Sequence, residues 1–204
     1  VYKKPLVIGI NGPPKIGKGW LAAQIAPLIP YQTITMSFAT PLREEIMADY
    51  GVPSTAKAYA AFKDSILPDG ETGRDKLIAH GLKMREVDPV YWARRLTENP
   101  MFQYESIPVI IIDDLGFFNE QEWMLEHSER FMTIVMSPTY YSPSMIYEGD
   151  SRVCLPPIGG FRCTNSDLAL KIFKERLANA EPHESANQKN LWLDAIMERP
   201  VGQS

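Results

Sequence analysis

Cysteine, long apolar runs and surplus positive charge are all scarce in this chain, and each scarcity closes off a class of protein. Cys154 and Cys163 are the only cysteines among 204 residues, too few for a thiolate metal framework. A disulfide between them would require the fold to bring them together, so two reduced thiols in an intracellular protein are the simpler expectation. No apolar stretch approaches the roughly 20 residues needed to cross a bilayer. No basic head followed by an apolar run and a small-residue cleavage site marks secretion either, so the expected setting is cytoplasmic, with no membrane partner. The formal net charge is -4, which argues against a general nucleic-acid binder, because affinity for a polyanion accumulates from many Lys and Arg contacts. Repeats and low-complexity linkers are missing as well. With 45% hydrophobic and 23% charged residues, the chain has the composition of an ordinary globular domain with a substantial core.

What is present is an alternation of apolar runs and helical patterns. Leu6-Val7-Ile8-Gly9-Ile10 reads as a buried strand, its continuous apolar character suiting a parallel sheet covered on both faces. A turn-rich connection and a helix over 18–28 follow, with Pro27 ending or distorting that helix. A strand over 33–36 leads to a helix opening near Pro41. Further helices are expected at 56–63, 74–82 and 89–96. Strands at 109–112 and 132–136 flank a helix capped by Asn119. A helix over 167–177 has Leu168, Ile172 and Phe173 as inward candidates, and Leu191-Trp192-Leu193 opens a final one. Repeated strand-helix order predicts an α/β fold with a mainly parallel central sheet. The whole of 1–204 reads as one domain, with 50–105 as a helical acceptor-binding or lid insertion.

Between the first strand and the first helix stands Gly12-Pro13-Pro14-Lys15-Ile16-Gly17-Lys18-Gly19. It has the spacing and lysine of a phosphate-binding Walker A loop, without the Ser or Thr that normally follows the lysine. Small residues let the backbone curl around phosphate oxygens, so that successive N–H groups and the positive helix end face the anion. Lys18 is expected to reach the terminal phosphates; Lys15 is as readily a solvated surface residue.

The loop resembles that of adenylate kinases and related nucleoside monophosphate kinases, which carry Gly-Pro-Pro-x-x-Gly-Lys-Gly-Thr; here Trp20 stands in place of the threonine. Further segments resemble the viral deoxynucleoside monophosphate kinase family: Ser37-Phe38-Ala39-Thr40-Pro41-Leu42-Arg43, Thr72-Gly73-Arg74, Met84-Arg85, Tyr91-Trp92, Asp114-Leu115-Gly116-Phe117-Phe118-Asn119-Glu120 and Pro182-His183-Glu184-Ser185. Thr40 departs from that family's acidic residue, and Gly116 from its arginine. The resemblance implies a three-layer P-loop kinase fold. It also implies an enzyme that moves the γ-phosphoryl group of ATP, with Mg²⁺, to a deoxynucleoside monophosphate, in an infected host cell. A homodimer stays open.

Under that reading Gly12, Pro13, Pro14, Lys15, Ile16, Gly17, Lys18, Gly19 and Trp20 hold ATP. Lys18, Asp114 and Arg85 are the candidate catalytic residues. Arg43, Arg74 and Arg85 are candidate guanidinium clamps for the acceptor phosphate, since phosphoryl transfer needs alignment and charge stabilisation more than a strong nucleophile. Phe38, Tyr91 and Trp92 are candidates for receiving the base. Asp113 and Asp114 stand where a parallel strand emerges at its carboxyl end; Asp114 is the candidate metal residue, directly or through water, with the other acid capping a loop. Three other readings compete: another P-loop small-molecule kinase, such as one resembling dephospho-coenzyme A kinases; a nucleotide-responsive binding protein with little or no catalysis; and, least favoured, a GTP switch. The last would rest on Thr164-Asn165-Ser166-Asp167, which lacks the lysine of a guanine-reading motif.

Overall fold

A computed structural model describes residues 4–103, 109–137, 142, 144–147 and 152–178. Five parallel strands form one sheet: β1 (Leu6–Asn11), β2 (Thr33–Met36), β3 (Val109–Ile112), β4 (Arg130–Met136) and β5 (Phe161–Cys163), in the spatial order β2-β3-β1-β4-β5. β1 is central, with Ile8 opposite Ile111 on one side and Met132 on the other. Period-two alternation divides its side chains. Leu6, Ile8 and Ile10 pack with α1 (Lys18–Ile25) and α7 (Ser166–Ala178), while Val7 packs on the opposite face with α5 (Tyr91–Thr97) and α6 (Phe118–His127). Both faces of the sheet are therefore covered, as continuous apolar strands require.

The expected fold class holds at this level: an α/β fold with a parallel central sheet flanked by helices. Connections leaving β1 and β4 head to opposite sides of the sheet, and such a reversal opens a crevice at the strands' carboxyl ends. Around that crevice α2 (Ala39–Asp49), α3 (Ala56–Asp64) and α4 (Gly73–Val87) share a small core of their own, built on Ile46, Met47, Phe62 and Leu77. None of the helices among the described residues is long and apolar enough to cross a membrane.

Several boundaries differ from expectation for local reasons. α1 stops at Ile25 and tightens into a 3₁₀ turn, Ala26–Leu28, that accommodates Pro27. α2 begins at Ala39, so Pro41 sits in its first turn, where its missing N–H costs nothing. α4 runs on to Val87 behind a capping box in which Thr72 and Asp75 hold each other's backbone N–H. Asn119 does not cap α6; it lies inside the helix and its amide donates to the Pro89 carbonyl. On α7, Leu168 is exposed and Ala169 takes the inward place beside Phe173, with Asn165 Oδ1 accepting from Leu168 N at 2.9 Å as the cap. β5 is only three residues long and was invisible to periodicity. Both cysteines are free and buried. The expected helix at Leu191 and the segment around His183 lie outside the described residues.

One buried polar side chain fixes the crevice wall. Asn11 ends β1 with no exposure. Its Nδ2 donates to the carbonyls of Leu115 (2.9 Å) and Val153 (3.0 Å), and its Oδ1 accepts from Tyr147 Oη (2.6 Å) and Leu155 N (3.1 Å). All its hydrogen-bonding capacity is used. Replacing Asn11 with Ala strands those partners in a dry interior and is expected to lower stability by about 2–4 kcal/mol, measured by urea unfolding; a loss below about 0.5 kcal/mol would show that water takes over these bonds.

Candidate functional site

The loop between β1 and α1 is shaped by two residues with positive φ, Lys15 (63°) and Gly17 (95°). Gly17 takes the left-handed conformation at the helix cap, and a Cβ there would stand 2.9 Å from Ser166 Oγ, so both conformation and space favour glycine. α1 has no side-chain cap and no acidic residue in its first turn, so its first backbone N–H groups are left uncapped by the helix's own side chains. Lys18 folds back over the loop, its Nζ donating to the carbonyls of Gly12 (2.7 Å) and Pro13 (2.8 Å). Pro14, Lys15 and Trp20 are exposed.

The two acids after β3 take different roles, as the strand's alternation dictates. Val109 and Ile111 face α1, and Ile110 and Ile112 face the other layer; continued one step further, the alternation turns Asp113 towards the loop and Asp114 towards α2. Asp114 accepts from Ser37 Oγ (2.6 Å), Phe38 N (2.8 Å) and Ala39 N (2.9 Å). It thereby caps the amino end of α2, a favourable place for a carboxylate, and both its oxygens are engaged. Asp113 is the acid beside the loop, 3.5 Å from where a Cβ on Gly19 would lie. Burial and the neighbouring Asp114 push its carboxyl up to about 6, against the pull of Arg43 and Lys18. Of the pair, Asp114 therefore caps α2 and Asp113 stands beside the loop.

A cavity of about 540 Å³ opens beside Pro14 of the loop. Five cationic side chains line it, Arg43, Lys63, Arg74, Arg85 and Arg152, against two acids, Asp114 and Glu120. Arg43 lies over the Tyr59 ring at 4.5 Å and Arg85 over the Phe117 ring at 4.2 Å, contacts that orient the guanidinium planes. The Nε atoms of both arginines are buried without a hydrogen-bond partner, a costly state for a charged donor. Arg85 Nη2 pairs with Glu120 Oε1 at 3.0 Å, and Glu120 Oε2 accepts from Gly116 N at 3.1 Å. Leu42, Leu77, Ile78 and Leu82 supply an apolar wall.

Of the residues singled out in the sequence, Arg43, Arg74, Arg85, Phe38 and Asp114 come together around this cavity. Tyr91 and Trp92 do not line it. Trp92 is buried in the core with its Nε1 donating to Gly81 O (3.2 Å), and Tyr91 packs edge-on against it while its hydroxyl donates to Glu45 Oε1 (3.2 Å). Apolar anchoring on the α5 side won over exposure. Besides Phe38, the rings at the cavity are Tyr59 and Phe117, which sequence reasoning missed as site residues together with Lys63 and Arg152. For Tyr59 a signal existed, since it is spaced four residues before Lys63 on one helical face. A second cavity, about 520 Å³, runs along β2 and includes no loop residue. Among the described residues no three His, Cys, Asp or Glu side chains cluster to hold a metal ion.

No protein-family model matches the chain, and no curated protein matches it. Among solved structures, a Thermus thermophilus protein titled TT1252 is 20% identical, with a TM-score of 0.36. The match covers 65% of this chain and spans 65% of the length of the other. So slight a likeness carries neither fold nor function.

Glu120 makes the site pH-sensitive. Burial, offset in part by Arg85, pushes its carboxyl from 4.5 up to about 7. Between those values the folded chain keeps a proton that the unfolded chain gives up, so this group's contribution to stability falls as pH rises through that window. Wild type is expected to lose stability relative to Glu120→Gln between pH 4.5 and 7, read from denaturant unfolding at several pH values. Parallel pH curves for the two proteins would contradict the assignment.

Proposed function

We propose that this chain is a P-loop phosphotransferase that moves the terminal phosphoryl group of ATP to a small phosphorylated acceptor, with a deoxynucleoside monophosphate as the acceptor class. The observation that carries the reading is the gathering of Arg43, Arg74 and Arg85 around one cavity that begins beside the phosphate loop, with the Nε atoms of Arg43 and Arg85 buried without partners behind it. Guanidinium charge gathered in this way asks for an anion. The apolar wall and the Tyr59 and Phe117 rings ask for something flat and apolar attached to it. A nucleotide with one phosphate meets both requirements. The strand order and the resemblance to viral deoxynucleoside monophosphate kinases support a three-layer P-loop kinase fold, with α2–α4 as the acceptor-binding region.

In this reading the loop amides, the uncapped end of α1 and Lys18 hold the ATP phosphates. Lys18 exchanges its two carbonyl contacts for phosphate oxygens. An oxygen of the acceptor phosphate forms a bond to the terminal phosphorus, while the bond from that phosphorus to the bridging oxygen breaks, leaving ADP and a diphosphate. No proton need move if the acceptor enters as a dianion. Arg43, Arg74 and Arg85 align the acceptor and spread the charge of transfer. Mg²⁺ would enter as a companion of the nucleotide and would neutralise charge on its phosphates; Asp113, desolvated and beside the hydroxyl-free Gly19, is the residue that would hold it.

A second reading, a nucleotide-responsive binding protein without transfer, has particular observations in its favour. Gly19 offers no hydroxyl, Asp114 is fully engaged as a cap and Arg85 is already paired with Glu120. One experiment separates the readings. With ATP, Mg²⁺ and a panel of deoxynucleoside monophosphates, ADP is expected only when an acceptor is present, and Lys18→Ala is expected to lower kcat/KM about 100-fold or more. ATP binding by calorimetry with no acceptor-dependent ADP would select the binding protein instead.

A further inference from the structure

The five cations at the cavity are not equivalent. Arg85 is paired with Glu120, and Arg152 is engaged as well. The side chains of Arg43, Lys63 and Arg74, one from each of α2, α3 and α4, make no ion pair or hydrogen bond among the described residues. The acids that adjoin Lys63 and Arg74 in the chain are placed elsewhere. Asp75 is spent in the capping box with Thr72, and Asp64 is exposed and does not line the cavity.

Two local devices bring Lys63 to the cavity. On α3 it follows Tyr59 by four residues, so both side chains leave the same helical face, and both line the cavity. Arg43 lies over that Tyr59 ring at 4.5 Å, which fixes α2 against the same face. The backbone beside Lys63 is also tied down. The Phe62 carbonyl accepts from Ser65 N (3.1 Å) and Ser65 Oγ (2.6 Å), and Gly73 N donates to Ser65 O (3.1 Å). Gly73 packs so closely there that a Cβ would stand 2.2 Å from Phe62 O. This approach of the backbone at 62 and 73 starts Lys63 and Arg74 from adjoining points of the cavity wall. Like charges brought together repel one another, and a shared anion turns that repulsion into attraction.

We infer that Lys63 is a further acceptor-binding residue, its ammonium contacting the phosphate of the acceptor alongside Arg43 and Arg74. The inference rests on the phosphotransferase reading for the identity of the acceptor. It gives α3, which otherwise brings only the Tyr59 ring, a charged contact with the ligand. An ammonium is a compact charge on a flexible stem, so Lys63 can follow the phosphate while Arg43, held over its ring, keeps a fixed plane.

Calorimetric titration of the four common deoxynucleoside 5′-monophosphates, of the matching nucleosides without phosphate, and of ATP tests this with wild type, Lys63→Met, Lys63→Gln and Lys63→Arg. Lys57→Met, an exposed change on the same helix away from the cavity, controls for the general field of a lost charge. Thermal unfolding is measured on each protein. Lys63→Met and Lys63→Gln are expected to weaken monophosphate binding about tenfold, with the nucleosides and ATP unaffected and Lys63→Arg keeping most of the affinity. Lys57→Met is expected to bind like wild type. Equal monophosphate affinity in wild type and the folded Lys63→Met and Lys63→Gln proteins would overturn the inference while leaving the phosphotransferase reading standing. So would an equal loss for nucleosides and monophosphates, which marks a packing role, or an equal loss in Lys57→Met, which marks a field effect. If wild type binds none of the monophosphates, the functional reading fails and the inference falls with it.

Discussion

Positive charge gathered at the carboxyl edge of the sheet, with fewer acids than cations beside it among the described residues, is the constraint around which this structure is organised. The amino end of α1 has no acidic residue in its first turn and no side-chain cap. A few residues away, five cationic side chains share a cavity with two acids, and one of those acids is spent capping α2. Folding could have relieved this by placing another carboxylate nearby. It leaves two guanidinium Nε atoms buried without partners instead. On the phosphotransferase reading, a ligand carrying negative charge offsets that cost.

Two polar residues at strand ends keep that arrangement in register. Asn11, at the end of the central strand, gathers the segments around Leu115, Val153 and Leu155 with four hydrogen bonds. Asp114, at the end of the adjacent strand, gathers the start of α2 with three. Both strands are parallel and both residues lie at carboxyl ends, so the loop, the α2 region and the β4–β5 connection converge on one crevice. On the phosphotransferase reading, backbone and core set the spacing between an anion held at the loop and one held by the arginines. Alignment of that kind, more than any strong base or nucleophile, is what phosphoryl transfer asks of a protein.

The sequence made much of this legible, and the limits follow from what its signals measure. Apolar runs such as Val109-Ile110-Ile111-Ile112 announced the central strands because burial on both faces removes polar residues from them. The loop was readable from glycine spacing, and the clustering of Arg43, Arg74 and Arg85 from segment resemblance. β5 was not readable, since three residues carry no period. Tyr91-Trp92 looked like a ring platform because aromatic residues signal contact area without saying on which side of a helix the cavity lies. Asp113 and Asp114 were distinguishable in principle, since alternation along β3 assigns one to each face. Arg152 was out of reach: its place at the cavity depends on a glycine 36 positions earlier in the chain that contributes only space.

The account's central claim is that the phosphate loop and the arginine-lined cavity form one continuous site for two phosphate-bearing ligands. Its most direct test is calorimetric titration with a bisubstrate compound in which two nucleosides are joined by five phosphates, compared with ATP alone and a monophosphate alone. The account predicts one molecule bound per chain, far more tightly than either single ligand, with most of the gain lost on Lys18→Ala or on replacing Arg43 by Gln. Binding no tighter than that of ATP alone would contradict it.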